Sequence, residues 1–196
     1  LQRLGCDSNQ YEMIINNDEY TLSQLQATIT SSIENKKYDD ALNAISDYKK
    51  LKSSKSPKIH EQFCLYSHGL IMKNMGNHEQ AIAFFLQSLE KTNISIDDKG
   101  FHHNLLSLTE LQIIYHLAVS YEEKAELKNA HVLYTKLESF IRNESSNCLG
   151  IQYIYLNVLY KLALINYTQN NFGIAYSYIQ QSFDGLIANY FFYPLQ

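Results

Sequence analysis

The 196 residues carry 16 basic against 20 acidic side chains, a formal net charge of −4, with no basic stripe of the kind that tracks a nucleic-acid backbone. Two Pro and 7 Gly are too few to punctuate an all-β or loop-rich fold. Three Cys without a CxxC pair point away from a disulfide framework and toward a reducing, cytoplasmic setting. Neither a signal-peptide pattern nor an apolar run long enough to span a membrane is present.

Along the chain, apolar residues return at three- and four-residue steps, and two-residue alternation never persists. That period predicts helices over 8–16, 20–35, 38–52, 57–74, 77–92, 104–123, 127–142, 150–168 and 172–189. Turn-type stretches separate them: SSKSPK at 53–58, NISIDDKGFHHN at 93–104 and NESSNCLG at 143–150. The lysines at 49, 50, 52, 55 and 58 are interrupted by serines and read as a solvated helix end and loop.

From residue 20 onward the predicted helices pair into hairpins, and the second member of each pair carries an alanine near its start: Ala41, Ala81, Ala130 and Ala175. Twelve residues before the last three stand Gly69, Ala118 and Ala163. Small side chains on both helices let antiparallel backbones approach closely, and the bulkier residue one turn on, such as Phe85, fills the space beside them. The pattern resembles the tetratricopeptide skeleton. Leu65, His68, Gly69, Met72, Ala81 and Phe85 form the best copy; Ile114, Leu117, Ala118, Tyr121, Ala130 and Tyr134 follow, then Leu159, Leu162, Ala163, Asn166, Ala175 and Ile179. A degenerate first copy holds Leu25, Ile29, Tyr38, Ala41 and Ile45. The alanines lie 40, 49 and 45 residues apart, longer than the standard period, and no copy has the closing proline. The expected fold is all-α: a right-handed superhelix of about four lengthened tetratricopeptide-like hairpins. A plain helical bundle is the competing architecture.

In such a superhelix the first helix of each hairpin lines the concave side. The inward stripe falls on Phe63, Tyr66, Leu70, Lys73 and Asn74, then Gln112, Tyr115, Val119 and Glu122, then Asn157, Tyr160, Leu164 and Tyr167. A phenol stands 15 residues before each of the last three alanines, with an aliphatic side chain one turn later. Phenols and amides suit the backbone of an extended peptide, and ring faces accept its apolar side chains. The alternative is that these tyrosines simply pack between neighbouring hairpins.

No enzyme is expected, and no metal or cofactor. His60-Glu61 and His78-Glu79 lack the second His that a zinc protease motif requires, and His102-His103 would point apart. These histidines read as surface or capping groups. Neither a phosphate-binding glycine loop nor a nucleophile elbow occurs, and Cys64 reads as a buried structural thiol.

The opening stretch LQRLGCDSNQYEMIINNDEYTLSQLQ, a short helix and a Leu-Gly step before a degenerate hairpin, resembles the junction in Rgg/PlcR-type peptide-pheromone regulators of Gram-positive bacteria. The resemblance implies a linker helix over 1–18 and a peptide-sensing domain over 19–196, preceded by a helix-turn-helix domain missing from this chain, in keeping with a start at Leu1. It further implies a cytoplasmic homodimer that binds a short signalling peptide on the stripe above and touches DNA only through the missing domain. Asn74, Asn157 and Lys73 match the family's amide and basic peptide-holding groups, whereas Glu122 and the tyrosine row depart from them. The alternative within the same fold is a protein–protein adaptor without a transcriptional role.

Overall fold

The structure is a computed structural model that describes residues 17–51, 57–97, 101, 105–144 and 148–192. The predicted helix over 8–16, the junction stretch before residue 17, Cys6 and His102-His103 lie outside the described residues. Eight helices are described: α1 (Asn17–Glu34), α2 (Tyr38–Lys50), α3 (Pro57–Asn74), α4 (His78–Lys91), α5 (Leu108–Glu123), α6 (Leu127–Glu144), α7 (Leu149–Thr168) and α8 (Phe172–Phe192). No strand occurs among the described residues, and no helix there is long and apolar enough to cross a membrane.

The helices pair as four antiparallel hairpins. Within each, α1 packs on α2, α3 on α4, α5 on α6 and α7 on α8; between them, α4 packs on α5 and α6 on α7. The first helices also touch in series, α1 to α3 to α5 to α7. This is a stacked helical-repeat arrangement, as the alanine spacing requires.

One turn geometry closes all four hairpins. Lys36, Gly76, Ala125 and Asn170, each two residues past the end of a first helix, sit in the left-handed region at φ of 59°, 80°, 61° and 63°. In each turn the amide of the left-handed residue reaches back three residues and the next amide reaches back five, as in Gly76 N to Lys73 O at 3.0 Å and Asn77 N to Met72 O at 2.9 Å. These bonds satisfy carbonyls that the ending helix would leave orphaned. Five residues beyond each left-handed residue stands the hairpin alanine: Ala41, Ala81 and Ala130 are sealed and Ala175 nearly so.

Gly69 shows why a small residue faces this contact. A β-carbon there would lie 2.5 Å from Cε1 of Phe85, so the ring occupies the space a side chain would need. Helix α5 starts at Leu108, four residues after the predicted start. Ser107 forms a capping box, its Oγ accepting from Glu110 N at 3.3 Å while Glu110 Oε2 accepts from Ser107 N at 2.8 Å, and this reciprocal bonding fixes the first turn. Ahead of it, Phe101 is buried against Phe140, ring centroids 6.1 Å apart.

Two cores result. One joins the first two hairpins through Ile29, Ile45, Tyr48 and Cys64; the other runs through hairpins two to four around Phe85, Leu117 and Tyr134. Leu70 and Met72 pack against both.

Candidate functional site

On α3, Phe63 is half-buried with its ring 5.4 Å from Tyr48. Tyr66 departs from the expected groove position. It is only 9% exposed, wedged between Phe85 at 6.1 Å and His116 of the next hairpin at 6.0 Å, because α5 packs over it. Burial pushes its phenol above the usual tyrosine range. Lys73 is half-buried and its Nζ lies 3.2 Å from His116 Nδ1. His116 is enclosed by Tyr66, Phe85 and Tyr115. Burial, with the Lys73 charge second, depresses its pKa to about 3, so the imidazole is neutral and Nδ1 accepts from Lys73. Burial lowers the Lys73 pKa as well, against the pull of Glu123. Asn74 is exposed at the helix end.

On α5, Gln112, Tyr115 and Val119 are half-buried, and the Tyr115 ring lies 6.2 Å from that of Tyr134. Glu122 is not the unengaged groove acid the sequence suggested. Tyr134 donates its hydroxyl to Glu122 Oε2 at 2.7 Å, and Lys161 of α7 donates to Oε1 at 3.0 Å. Burial and the Glu122 bond raise the Tyr134 phenol far above its ordinary value.

These two polar contacts are equivalent. Lys73 and Glu122 occupy the same place in consecutive hairpins, eight residues before Ala81 and Ala130, and His116 and Lys161 each stand 14 residues before the alanine of the following hairpin. Each contact therefore ties the end of one first helix to the middle of the next. Tyr167 holds the matching position on α7 and is 61% exposed, its ring edge-on to Phe172 at 5.5 Å. On the same helix Tyr160 is 61% and Leu164 40% exposed, and Asn157 is half-buried, its amide donating to Tyr153 O at 2.7 Å. The stripe thus divides. Tyr66, Lys73 and Glu122 bind the stack together, whereas Asn74, Tyr160, Leu164 and Tyr167 present themselves to solvent, with Gln112, Tyr115 and Asn157 between.

A cavity of about 490 Å³ opens between the first two hairpins, beside Tyr48, His60, Glu61, Cys64 and Lys91. Tyr48, His60, Glu61 and Lys91 are already engaged in polar contacts. The Tyr48 hydroxyl accepts from Gln26 Nε2 at 2.9 Å and meets His60 Nδ1, and Lys91 pairs with Glu61 at 2.6 Å. Burial pushes the Tyr48 phenol up to about 12. His60, expected at the surface or as a cap, is a cross-hairpin partner instead, since α3 packs against α2 here. Cys64 is buried at 3% exposure, and burial raises its thiol despite nearby Lys49, so it stays protonated and unreactive. No set of three His, Cys, Asp or Glu able to hold a metal occurs among the described residues.

No protein-family model matches the chain, and neither a curated protein nor a solved structure does.

Proposed function

We propose that this chain is a peptide-sensing domain of a cytoplasmic transcriptional regulator, which takes a short extended peptide across its first helices. The observation that carries this reading is the coincidence of two features on one stripe. Gln112, Tyr115, Asn157 and Tyr160 offer amides and phenols to a ligand, and the Lys73–His116 and Glu122–Lys161 contacts that set the angle between hairpins run beside them. A peptide bonded to those amides favours one hairpin-to-hairpin geometry over another, a population shift that attached domains can read. An adaptor that captures a chain-terminal carboxylate needs uncommitted cations on the stripe. Lys73 and Lys161 are both spent on internal partners, which favours the sensor over the adaptor.

Calorimetric titration with short apolar peptides tests the reading. Saturable binding is expected, weakened about tenfold or more by Tyr160→Ala, equivalent to roughly 1.4 kcal/mol, with the unfolding midpoint unchanged because Tyr160 is exposed. Absence of binding by every peptide, or a Tyr160→Ala variant that binds as the parent does, overturns it. A helix-turn-helix segment encoded ahead of Leu1 is the matching expectation for the regulatory role.

A further inference from the structure

We infer that the cavity between the first two hairpins is a binding site for a small apolar carboxylic acid, separate from the peptide stripe. Its volume of about 490 Å³ falls in the range of small-molecule sites. It opens where α2 packs on α3 less closely than α4 packs on α5 or α6 on α7. On α3 its wall is made by Pro57, His60, Glu61 and Cys64. Those three- and four-residue steps form a different helix face from that of Phe63, Tyr66 and Leu70. The inference therefore stands without the peptide reading.

The wall divides into an apolar part and a cationic rim. Leu22 and Cys64 are buried and Leu51 and Leu65 half-buried, a lining that accepts a hydrocarbon body. The charged residues of the wall are Lys49, Lys91 and Glu61, two cations against one acid in a chain whose formal net charge is −4. The local balance thus runs against that of the whole molecule and favours an anion.

Lys49 is the cation left over. Lys91 is held by Glu61 at 2.6 Å, whereas none of the ion pairs among the described residues includes Lys49. Its Nζ lies 3.3 Å from His68 Nε2. Burial, with the Lys49 charge second, holds the His68 pKa down, so that ring brings no counter-charge. His60 adds a neutral donor on the same wall. The Tyr48 hydroxyl accepts from Gln26 and has His60 Nδ1 as the acceptor for its own proton, which leaves the imidazole hydrogen on Nε2. A carboxylate gives Lys49 its charge-assisted bond, and the leucines take the chain behind it. An amine would meet two lysines, and an alcohol would leave the Lys49 charge unanswered.

Titrating the chain with sodium octanoate while following backbone amide resonances tests the inference. Saturable shifts are expected at Tyr48, Lys49, His60 and Cys64, with the amides of α7 unmoved. Replacing octanoate by octan-1-ol, or the chain by Lys49→Gln, should weaken binding about tenfold, the worth of one hydrogen bond to a charged group. Glu61→Gln releases Lys91 and should tighten binding about threefold. Lys49 and Glu61 are both exposed, so neither substitution disturbs the core, and unchanged helical circular dichroism verifies this. Shifts that never saturate, or that fall on the α7 stripe instead, overturn the inference. So does octan-1-ol binding as octanoate does, a Lys49→Gln variant that binds as the parent does, or a Glu61→Gln variant that binds no tighter.

Discussion

Tyr134 and Ile179 occupy the same place in consecutive hairpins, four residues after the alanine that follows the turn, yet one is sealed and the other 56% exposed. Tyr115 and Tyr160 differ in the same sense, the first half-buried against Tyr134 and the second open. The backbones of the two hairpins are alike down to the left-handed residue and its back-reaching amides. What separates them is the neighbour. In a stacked array a side chain is core or surface according to whether another hairpin lies on it, so equal positions carry unequal energies.

Substitutions at equal positions break or sharpen that contrast. The largest effect belongs to Phe85→Ala, expected to cost about 3–5 kcal/mol in urea unfolding because a sealed ring leaves a cavity. Ile179→Ala at the same place in the fourth hairpin should stay within about 1 kcal/mol. Equal losses would mean that both faces are covered.

Acid comes next. His116 has a pKa near 3 in the folded chain against about 6.5 unfolded, so between those values the unfolded chain binds the extra proton. Its contribution is therefore complete above pH 6.5 and disappears as the pH falls toward 3. His116→Gln should flatten the loss of stability between pH 6.5 and 4 relative to the parent. A parallel pair of curves would show that the ring gains its proton without resistance.

Gly69→Ala forces a β-carbon against Phe85 and should destabilise by about 1–3 kcal/mol. Gly173→Ala in the fourth hairpin meets nothing within 4 Å and should be neutral or stabilising, by about 0.5–1 kcal/mol. Tyr134→Phe removes one of the two donors to Glu122 and should cost about 1 kcal/mol. The smallest change is Ala125→Gly, which relieves a β-carbon at φ 61° and should raise the unfolding free energy slightly, by at most about 1 kcal/mol in urea unfolding.

The helical pairing was legible because its signals are local. A 3.6-residue period marks each helix, and a small residue 12 positions before each of the last three alanines marks each hairpin. The first hairpin was harder, since Ile29 stands where the others have Gly or Ala. The start of α5 was misplaced although Ser107 and Glu110 spell a capping box, a signal that was available. The turn positions gave less away, because only Gly76 and Asn170 are of types that favour a left-handed backbone, and Lys36 and Ala125 are not. The stripe residues all lie on first helices, but their environments were not legible. The partners that engage Lys73 and Glu122 lie 43 and 39 residues further on, and nothing within one hairpin announces them. The same distance hid the Tyr48–His60 contact, and with it the cavity between the first two hairpins.

The repeated turn also bears on how the chain assembles. Every hairpin closes through bonds spanning three to five residues, so each can form before distant segments meet, and the array grows by adding neighbours to whichever hairpin has closed. Among the described residues, the middle of the stack gains a neighbour on both sides and the fourth hairpin on one. Amide protons of α3 to α5 should therefore exchange slowest and those of α8 fastest, a slope of protection along the stack.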